Sequence, residues 1–265
     1  MAVLLYALHP ICILSALTTS HSSNTSATHL LLCLFIDSLA TYSLSLSNYC
    51  VLFLPCLSLL YLITVNSAYL ALLPIIFLRH DHSAGTFILF CVFYILLALL
   101  LQIFTASFPN LSLTSFPPSM GIFWYLDLQV FPSVRQYFDA LILFQPVLFS
   151  PPIAYALRSK PTVAAVIIAS MVLLYSRQLS PHDCILLLTL LLTCHDISFK
   201  MKHWPLILLG VTVSMAVSPL LLHLWIGLGA GNANYLFFNG LLLWVCLAGG
   251  VLEFTSVALL SLKEC

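Results

Sequence analysis

The strongest constraint on this chain is that long apolar runs follow one another with very few charged residues between them. Only 6% of the residues are charged and 62% are hydrophobic, whereas a soluble domain has roughly 25% charged residues. A helix that crosses the ~30 Å core of a bilayer needs about 20 apolar residues. The runs lie at 3–17, 29–46, 48–62, 64–78, 86–107, 137–157, 161–175, 182–198, 204–226 and 235–260. The sequence therefore predicts an all-α polytopic membrane protein of a single domain, residues 1–265, with roughly eight to ten transmembrane helices.

The charge balance argues against a nucleic-acid-binding role. Eight basic and eight acidic residues give a net charge of zero at pH 7, so no basic field is available to attract a polyanion.

The nine cysteines are scattered without a Cys-x-x-Cys pair. We expect them to pack as small apolar side chains.

Proline and basic residues bear on how the runs cross. Pro55 and Pro74 allow residues 48–78 to form either two short tilted helices or one span with a re-entrant piece.

Short cytoplasmic loops are enriched in Lys and Arg. If residue 1 starts in the cytosol and all the runs cross, most of the eight basic residues fall on the cytosolic side: Arg79, Arg158, Lys160, Lys200, Lys202 and Lys263. The same parity places the glycosylation sequons at 24–26 and 110–112 on the lumenal side.

Residues 107–137 depart most from the pattern of a membrane span. Four prolines bound the segment: Pro109, Pro117, Pro118 and Pro132. Its middle contains the aromatic triplet Phe123, Trp124 and Tyr125. Aromatic residues of this kind are enriched at membrane interfaces. We expect a short helix that lies in the lumenal interface rather than one that spans.

Residues 227–234 form the second departure, a polar turn between the last two long runs. Gly227, Gly229 and Gly231 allow the chain to bend, and Asn232 and Asn234 follow them. The parity of the spans makes this turn lumenal. One interpretation is a connecting loop in which Asn caps the next helix. The other is a place where a small hydrophilic group is bound, because non-helical backbone at a membrane is tolerated only at its surface or around a cavity.

The residues of types suited to catalysis or metal binding do not form a convincing set. His80-Asp81-His82 lies in a loop and shows no third ligand. Neighbours such as Cys194, His195 and Asp196 point to different faces of a helix, so we interpret them as the polar end of a run. The glycines of the turn have neither the spacing nor the preceding strand of a nucleotide-binding loop. We therefore predict no catalytic residues, no metal site and no cofactor.

Other polar residues are interpreted structurally. His182 and Asp183 after Pro181 predict a helix start. Glu253 lies in the last run, as Asp37 does in the second, and an ionisable residue inside a membrane run favours a functional role. For Glu253 two explanations stay open: its carboxylate faces a neighbouring helix beside Gly249-Gly250, or it lies near the end of the span.

From residue 121 to 260 the sequence resembles the PIG-U family, a multi-span subunit of the GPI transamidase of the endoplasmic reticulum. The resemblance is carried by the residues 121–125, Phe144-Gln145, 156–161 and Ser180-Pro181-x-Asp183, and most specifically by 223–226 running into 231–235. Weaker similarity extends back to His9-Pro10. Members of this family are usually longer, with additional spans before this region.

The resemblance implies a non-catalytic subunit in the membrane of the endoplasmic reticulum, with a fold like that of the multi-span C-type glycosyltransferases. The implied partners are other transamidase subunits, including a cysteine-protease subunit, and the GPI glycolipid. By position, Asn232 and Asn234 correspond to the two asparagines of the family's Asn-x-Asn turn. Amide groups suit hydroxyl and phosphate oxygens. We predict that these asparagines contact the GPI head group, with Trp225 and Tyr235 at the interface and Phe123, Trp124 and Tyr125 lining or flooring the site.

Two other classes are considered as alternatives. A lipid-linked-sugar mannosyltransferase of the GPI pathway typically presents an acidic pair such as Asp-x-Asp, but the aspartates here are isolated: Asp37, Asp81, Asp127, Asp139, Asp183 and Asp196. A transporter would ordinarily show buried ionisable pairs or broken helices in corresponding halves, and the sequence has no such symmetry.

Overall fold

The computed structural model describes residues 32–34, 36, 67–78, 89–96, 118–176 and 178–263. All secondary structure in this part of the chain is helical. A 3-10 helix, Ser67–Leu72, leads into α1, Leu73–Leu78, and residues 32–34, 36 and 89–96 are also helical. The later helices are α2 (Phe123–Gln129), α3 (Arg135–Ala156), α4 (Pro161–Leu174), α5 (Pro181–Thr193), α6 (His195–Ser198), α7 (Trp204–Leu222), a π-helical turn (His223–Gly227) and α8 (Ala233–Lys263).

The prediction of an all-α membrane protein is confirmed. Among the described residues, three helices are long and apolar enough to cross a membrane: Tyr137–Ala156, Trp204–Gly227 and Ala233–Leu262. Helices α4 and α5 are apolar but have only 14 and 13 residues, fewer than the roughly 20 that a perpendicular crossing requires. The sequons, Asp37 and residues 79–82 lie outside the described residues, and the total of eight to ten spans stays a prediction.

The short helix α4 lies at the centre of the bundle. It contacts α3, α5, α8 and the 3-10 helix. The side chains of Val166, Ile168 and Ala169 are fully buried. Helix α4 is apolar on every side, which is typical of a helix surrounded by protein. Because α4 is enclosed by its neighbours, its short length does not leave its backbone facing lipid. This arrangement explains how an apolar run of 14 residues fits in a membrane protein.

One predicted run is divided in the structure. We expected a continuous apolar element over 182–198, but α5 ends at Thr193 and the short α6 begins at His195. The predicted helix start is correct. Ser180 accepts a hydrogen bond from the Asp183 N–H at 3.2 Å, and the Asp183 carboxylate accepts one from the Ser180 N–H at 2.8 Å. This reciprocal capping box, with Pro181 as the first helical residue, fixes the beginning of α5.

The antiparallel helices α7 and α8 are joined at one end by Glu253. Its Oε1 atom accepts hydrogen bonds from the N–H groups of Lys202 at 2.7 Å and His203 at 3.2 Å. The Nδ1 atom of His203 lies 3.1 Å from the same oxygen. These groups precede the first turn of α7, where unpaired N–H groups and the helix dipole favour an anion. The first explanation of Glu253 therefore applies, because the carboxylate faces the start of α7, whereas α8 continues from Glu253 to Lys263.

The alternating helices place most of the described charged residues at two ends of the bundle. The asparagine end comprises residues 118–135, 175–176, 178–181 and 223–235, and the basic end comprises 157–160, 194–203 and 253–263. At the basic end, Lys160 Nζ donates to Ser261 Oγ at 3.1 Å. The basic residues that we predicted on one side, as far as they are described, all lie at the basic end: Arg158, Lys160, Lys200, Lys202 and Lys263. Arg135 lies at the other end.

Two glycines of α8 give a test of this packing. A Cβ atom at Gly240 would lie 2.8 Å from the Met120 carbonyl oxygen and 3.2 Å from that of Gly121, whereas nothing lies within 4 Å of one at Gly249. Backbone cannot move aside cheaply, so Gly240→Ala is expected to lower the free energy of unfolding by about 1–3 kcal/mol. Gly249→Ala is expected to raise it by about 0.5–1 kcal/mol, since Ala favours helix. Unfolding of the purified protein in detergent measures both changes. Equal effects of the two substitutions would contradict this packing.

Candidate functional site

The turn between α7 and α8 is held by its own backbone. The carbonyl oxygen of Leu224 accepts hydrogen bonds from the N–H groups of Ala230 at 3.0 Å and Gly231 at 3.2 Å. Gly229 has a φ of +61°, a left-handed conformation that glycine adopts without strain. A Cβ atom at Gly231 would lie 3.1 Å from the backbone nitrogen of Trp225. Both glycines are thus needed for the chain to fold back over the π-helical turn.

Asn232 caps the helix that follows. Its Oδ1 atom accepts a hydrogen bond from the backbone N–H of Asn234 at 3.3 Å, and α8 begins at Ala233. An Asn side chain at this position satisfies one of the N–H groups that the first helical turn leaves without a partner. The capping interpretation is therefore correct for Asn232. Its carbonyl oxygen is engaged, while its amide nitrogen has no partner among the described residues.

Asn234 is tied to the aromatic segment of α2. The Tyr125 hydroxyl donates a hydrogen bond of 2.6 Å to Asn234 Oδ1. The Tyr125 ring also stacks on Phe237 with centroids 4.4 Å apart, one turn beyond Asn234 on α8. Two segments that are 109 residues apart in sequence therefore meet through one hydrogen bond and one ring contact. As in Asn232, the side-chain oxygen of Asn234 is engaged, and its Nδ2 atom has no partner in the part of the chain that the structure describes.

A pair of tryptophans lies beside these contacts. Trp124 stacks on Trp225 with ring centroids 6.0 Å apart and meets the edge of Tyr125 at 5.6 Å. Trp124 is 2% exposed, and its Nε1 atom is buried without a hydrogen-bond partner in the described part of the chain. An unpaired buried donor costs roughly 1–3 kcal/mol. Such groups are uncommon in native structures and call for an explanation.

The other two predicted site residues lie apart from this group. Phe123 is 8% exposed and stacks on Tyr175 at 6.0 Å, so it belongs to the packed floor beneath the site. Tyr235 is 63% exposed. The structure thus brings Trp124, Tyr125, Trp225 and Asn234 into contact and places Asn232 beside them. Whether any of these residues binds a ligand stays a prediction.

The sequence analysis missed the residues that hold the aromatic segment in place. Phe237 was predictable, because it lies three residues after Asn234 and so shares its side of the helix. Two further contacts had no signal in the sequence. Met120 N–H donates to Leu179 O at 3.3 Å, and Arg135 Nε lies 3.3 Å from the Asp127 carboxylate. The first joins the segment before α2 to the start of α5, and the second closes the link between α2 and α3.

The chemistry available at the asparagine end is that of neutral donors and aromatic surfaces. Asp127 is paired with Arg135, and Asp183 is used in the capping box. Cys194 and His195 lie at the basic end, where the ring centroids of His195 and Phe199 are 4.0 Å apart. No group of three or more His, Cys, Asp or Glu that could hold a metal occurs among the described residues. The arrangement is suited to binding polar, oxygen-rich groups.

Comparison with known proteins places this geometry in context. Residues 1–244 match the family model described as GPI transamidase subunit PIG-U. The chain is also similar to the GPI transamidase component GAB1 homolog of Schizosaccharomyces pombe, with 24% identity over 143 residues. That similarity covers 54% of this chain and 35% of the yeast protein. The match therefore spans about a third of the relative's length.

The cap at Asn232 can be tested without a ligand. Asn232→Ala removes the side-chain acceptor and is expected to lower the free energy of unfolding by about 1 kcal/mol, whereas Asn232→Ser restores a cap and returns stability to within a few tenths of a kcal/mol. Thermal unfolding of the purified protein in detergent checks both variants. If the Ala and Ser variants unfold alike, the capping role is wrong.

Proposed function

Because this chain belongs to the PIG-U family of GPI transamidase subunits, we propose that it is a non-catalytic subunit of that complex and that its asparagine end binds the GPI head group. The glycolipid is held there while it is attached to the C-termini of proteins. The observation that carries this proposal is the shared state of Asn232 and Asn234. Both side-chain oxygens accept a hydrogen bond within the protein, and neither amide nitrogen is bonded to another described residue.

An asparagine in this state presents both donors of its amide nitrogen and only the second lone pair of its carbonyl oxygen. The Nδ2 atom of each residue carries two N–H groups. Both residues are exposed at the turn, so these donors can reach a ligand. They suit an oxygen-rich partner such as a phosphate group or a sugar hydroxyl, without attracting every anion as a lysine would. Tyr125 has a positioning role in this proposal, because its hydroxyl holds the amide of Asn234 with the nitrogen outward.

The aromatic residues support the same proposal. Trp225 is half-buried and lies over Trp124. Trp and Tyr rings combine an apolar face with a polar group and are enriched where membrane meets water. A site built from such rings lies at the depth where the head group of a membrane lipid lies. The unpaired Nε1 of Trp124 gains an acceptor if a ligand oxygen reaches it.

Two further features bear on the assembly and its location. Most described Lys and Arg residues lie at the basic end, and the enrichment of such residues in cytoplasmic loops supports a lumenal position for the asparagine end in the endoplasmic reticulum. The asparagine end offers binding groups and lacks a paired nucleophile and base among the described residues. We therefore assign the peptide-cleaving step to a cysteine-protease partner in the same complex.

The alternative of a lipid-linked-sugar mannosyltransferase has less support. Such an enzyme needs acidic groups that act together, and the described acidic residues have separate structural roles. Asp127 forms an ion pair with Arg135, Asp183 caps α5, and Glu253 joins α8 to the start of α7. The family match is likewise to a transamidase subunit.

Tyr125→Phe and Asn234→Ala test the head-group site. Each loses one hydrogen-bonding group, and Phe keeps the ring contact with Phe237. The variants are expressed at limiting levels in cells whose own copy of the subunit is disrupted. Each is expected to lower surface display of a GPI-anchored reporter about two- to tenfold, because each loses one hydrogen bond. Co-purification with the other subunits should be unchanged.

Asn232→Ser provides the matched control for a purely structural role. It keeps the helix cap and removes the amide donors, so a binding role predicts reduced reporter display from a normally stable protein. Wild-type display from all three variants, with assembly intact, would refute the proposed function of the asparagine end.

A further inference from the structure

A short basic loop, residues 199–203, joins α6 to α7 at the basic end, at the opposite end of the bundle from the proposed head-group site. Phe199, Lys200 and Lys202 are exposed in it, and 73% of the surface of Phe199 is accessible. Neither lysine forms an ion pair within the part of the chain that the structure describes. The basic loop therefore presents two lysine charges and one aromatic ring to its surroundings.

The backbone of the basic loop is fixed at both ends. Before the loop, the Ser198 hydroxyl donates a hydrogen bond to the carbonyl oxygen of Leu191 in the last turn of α5. Within it, Glu253 Oε1 accepts the backbone N–H of Lys202 at 2.7 Å, so this bond does not use the lysine ammonium group. Met201 is buried between the two lysines. The exposed side chains are thus carried on a segment that is held in place.

The basic loop lies at the depth of a membrane surface. Helix α8 begins at Ala233, and Glu253, which holds the loop, follows 20 residues later. With a rise of about 1.5 Å per residue this length is about 30 Å, equal to the ~30 Å hydrocarbon core of a bilayer. When the turn before α8 lies at one surface, the basic loop therefore lies at the other. Leu206 in the first turn of α7 is 66% exposed, so apolar surface adjoins the loop on its membrane side.

The charge around the basic loop is positive. Among the described residues of the basic end, five are basic and two, Asp196 and Glu253, are acidic. The cytoplasmic leaflet contains anionic lipids, and each Lys or Arg close to such a surface favours association about fivefold. A phenyl ring beside lysines suits the boundary between head groups and acyl chains, because the ring enters the apolar layer while the ammonium groups stay at the phosphates.

We propose that the basic loop binds the head group of an anionic phospholipid in the leaflet opposite the asparagine end, the cytosolic leaflet in the orientation given above. Lys200 and Lys202 contact the acidic groups of the lipid, and Phe199 lies among the upper carbons of its acyl chains. The lipid fixes the depth of the start of α7. This site is separate from the asparagine end and does not rest on the proposed function. An acidic protein segment fits less well, because it offers no acyl chains to Phe199 and Leu206.

Quenching of Trp204, which directly follows the basic loop, tests this inference. The purified full chain is placed in phosphatidylcholine nanodiscs that contain the same small fraction of brominated phosphatidylserine or brominated phosphatidylcholine. Bromine quenches nearby tryptophan, and the signal of Trp204 is the difference between each protein and its Trp204→Phe form. The other three tryptophans lie toward the asparagine end. At physiological ionic strength we expect a preference for phosphatidylserine of about fivefold or more, which Lys202→Gln lowers about fivefold.

Lys160→Gln is the matched control, because it removes the same charge from the basic end. Lys160 is bonded to Ser261, about 12 Å beyond Glu253 along α8, whereas the Debye length is about 8 Å at physiological ionic strength. We expect this variant to keep the preference of the wild type. About 1 M salt, with a Debye length near 3 Å, is expected to reduce the preference of the wild type.

Three results would overturn the proposal. The first is equal quenching by the two brominated lipids. The second is an equal loss of preference in Lys160→Gln and Lys202→Gln, which would show attraction by the basic end as a whole. The third is carbodiimide crosslinking, in the assembled transamidase complex, of Lys200 or Lys202 to acidic residues of another subunit. None of these results bears on the proposed head-group site, which lies at the other end of the bundle.

Discussion

The asparagine end depends on the rule that polar groups near the bilayer must find partners within the protein. The turn between α7 and α8 obeys it closely. Leu224 O accepts two N–H groups, Asn232 caps α8, and Tyr125 occupies the oxygen of Asn234. Once these needs are met, the amide nitrogens of Asn232 and Asn234 stay without a partner among the described residues, as Trp124 Nε1 does. The folding requirement and the proposed binding site are thus parts of one arrangement, in which satisfied acceptors leave donors facing outward.

The same arrangement couples distant parts of the chain. Helix α2 has only seven residues and would be marginal alone, but contacts on several sides fix it. Tyr125 holds it to α8, Trp124 holds it to the π-helical turn, and Phe123 packs on Tyr175 below. The backbone before it lies against Gly240 and Leu179. A short aromatic helix is thereby fixed at the asparagine end.

The fold class and the location of the turn were predictable from the sequence. Apolar runs separated by short polar segments predict α3, α7 and α8, and Pro181 with Asp183 predicts the start of α5. The break after Thr193 was not predictable, because Cys194 to Ser198 carries no proline or glycine. The pairing of Tyr125 with Asn234 was out of reach for a similar reason: periodicity reports which face of a helix is apolar, but not which remote segment covers it.

The most direct test of this account is the side of the membrane on which the turn lies. A cysteine at Ala230, an exposed residue of the turn, is treated with a membrane-impermeant maleimide in sealed microsomes of the endoplasmic reticulum, with the unsubstituted protein as background. The account predicts no added labelling until the membrane is permeabilised with detergent. Labelling of the intact microsomes would place the turn in the cytosol, away from the sugars of the proposed ligand, and would contradict the account.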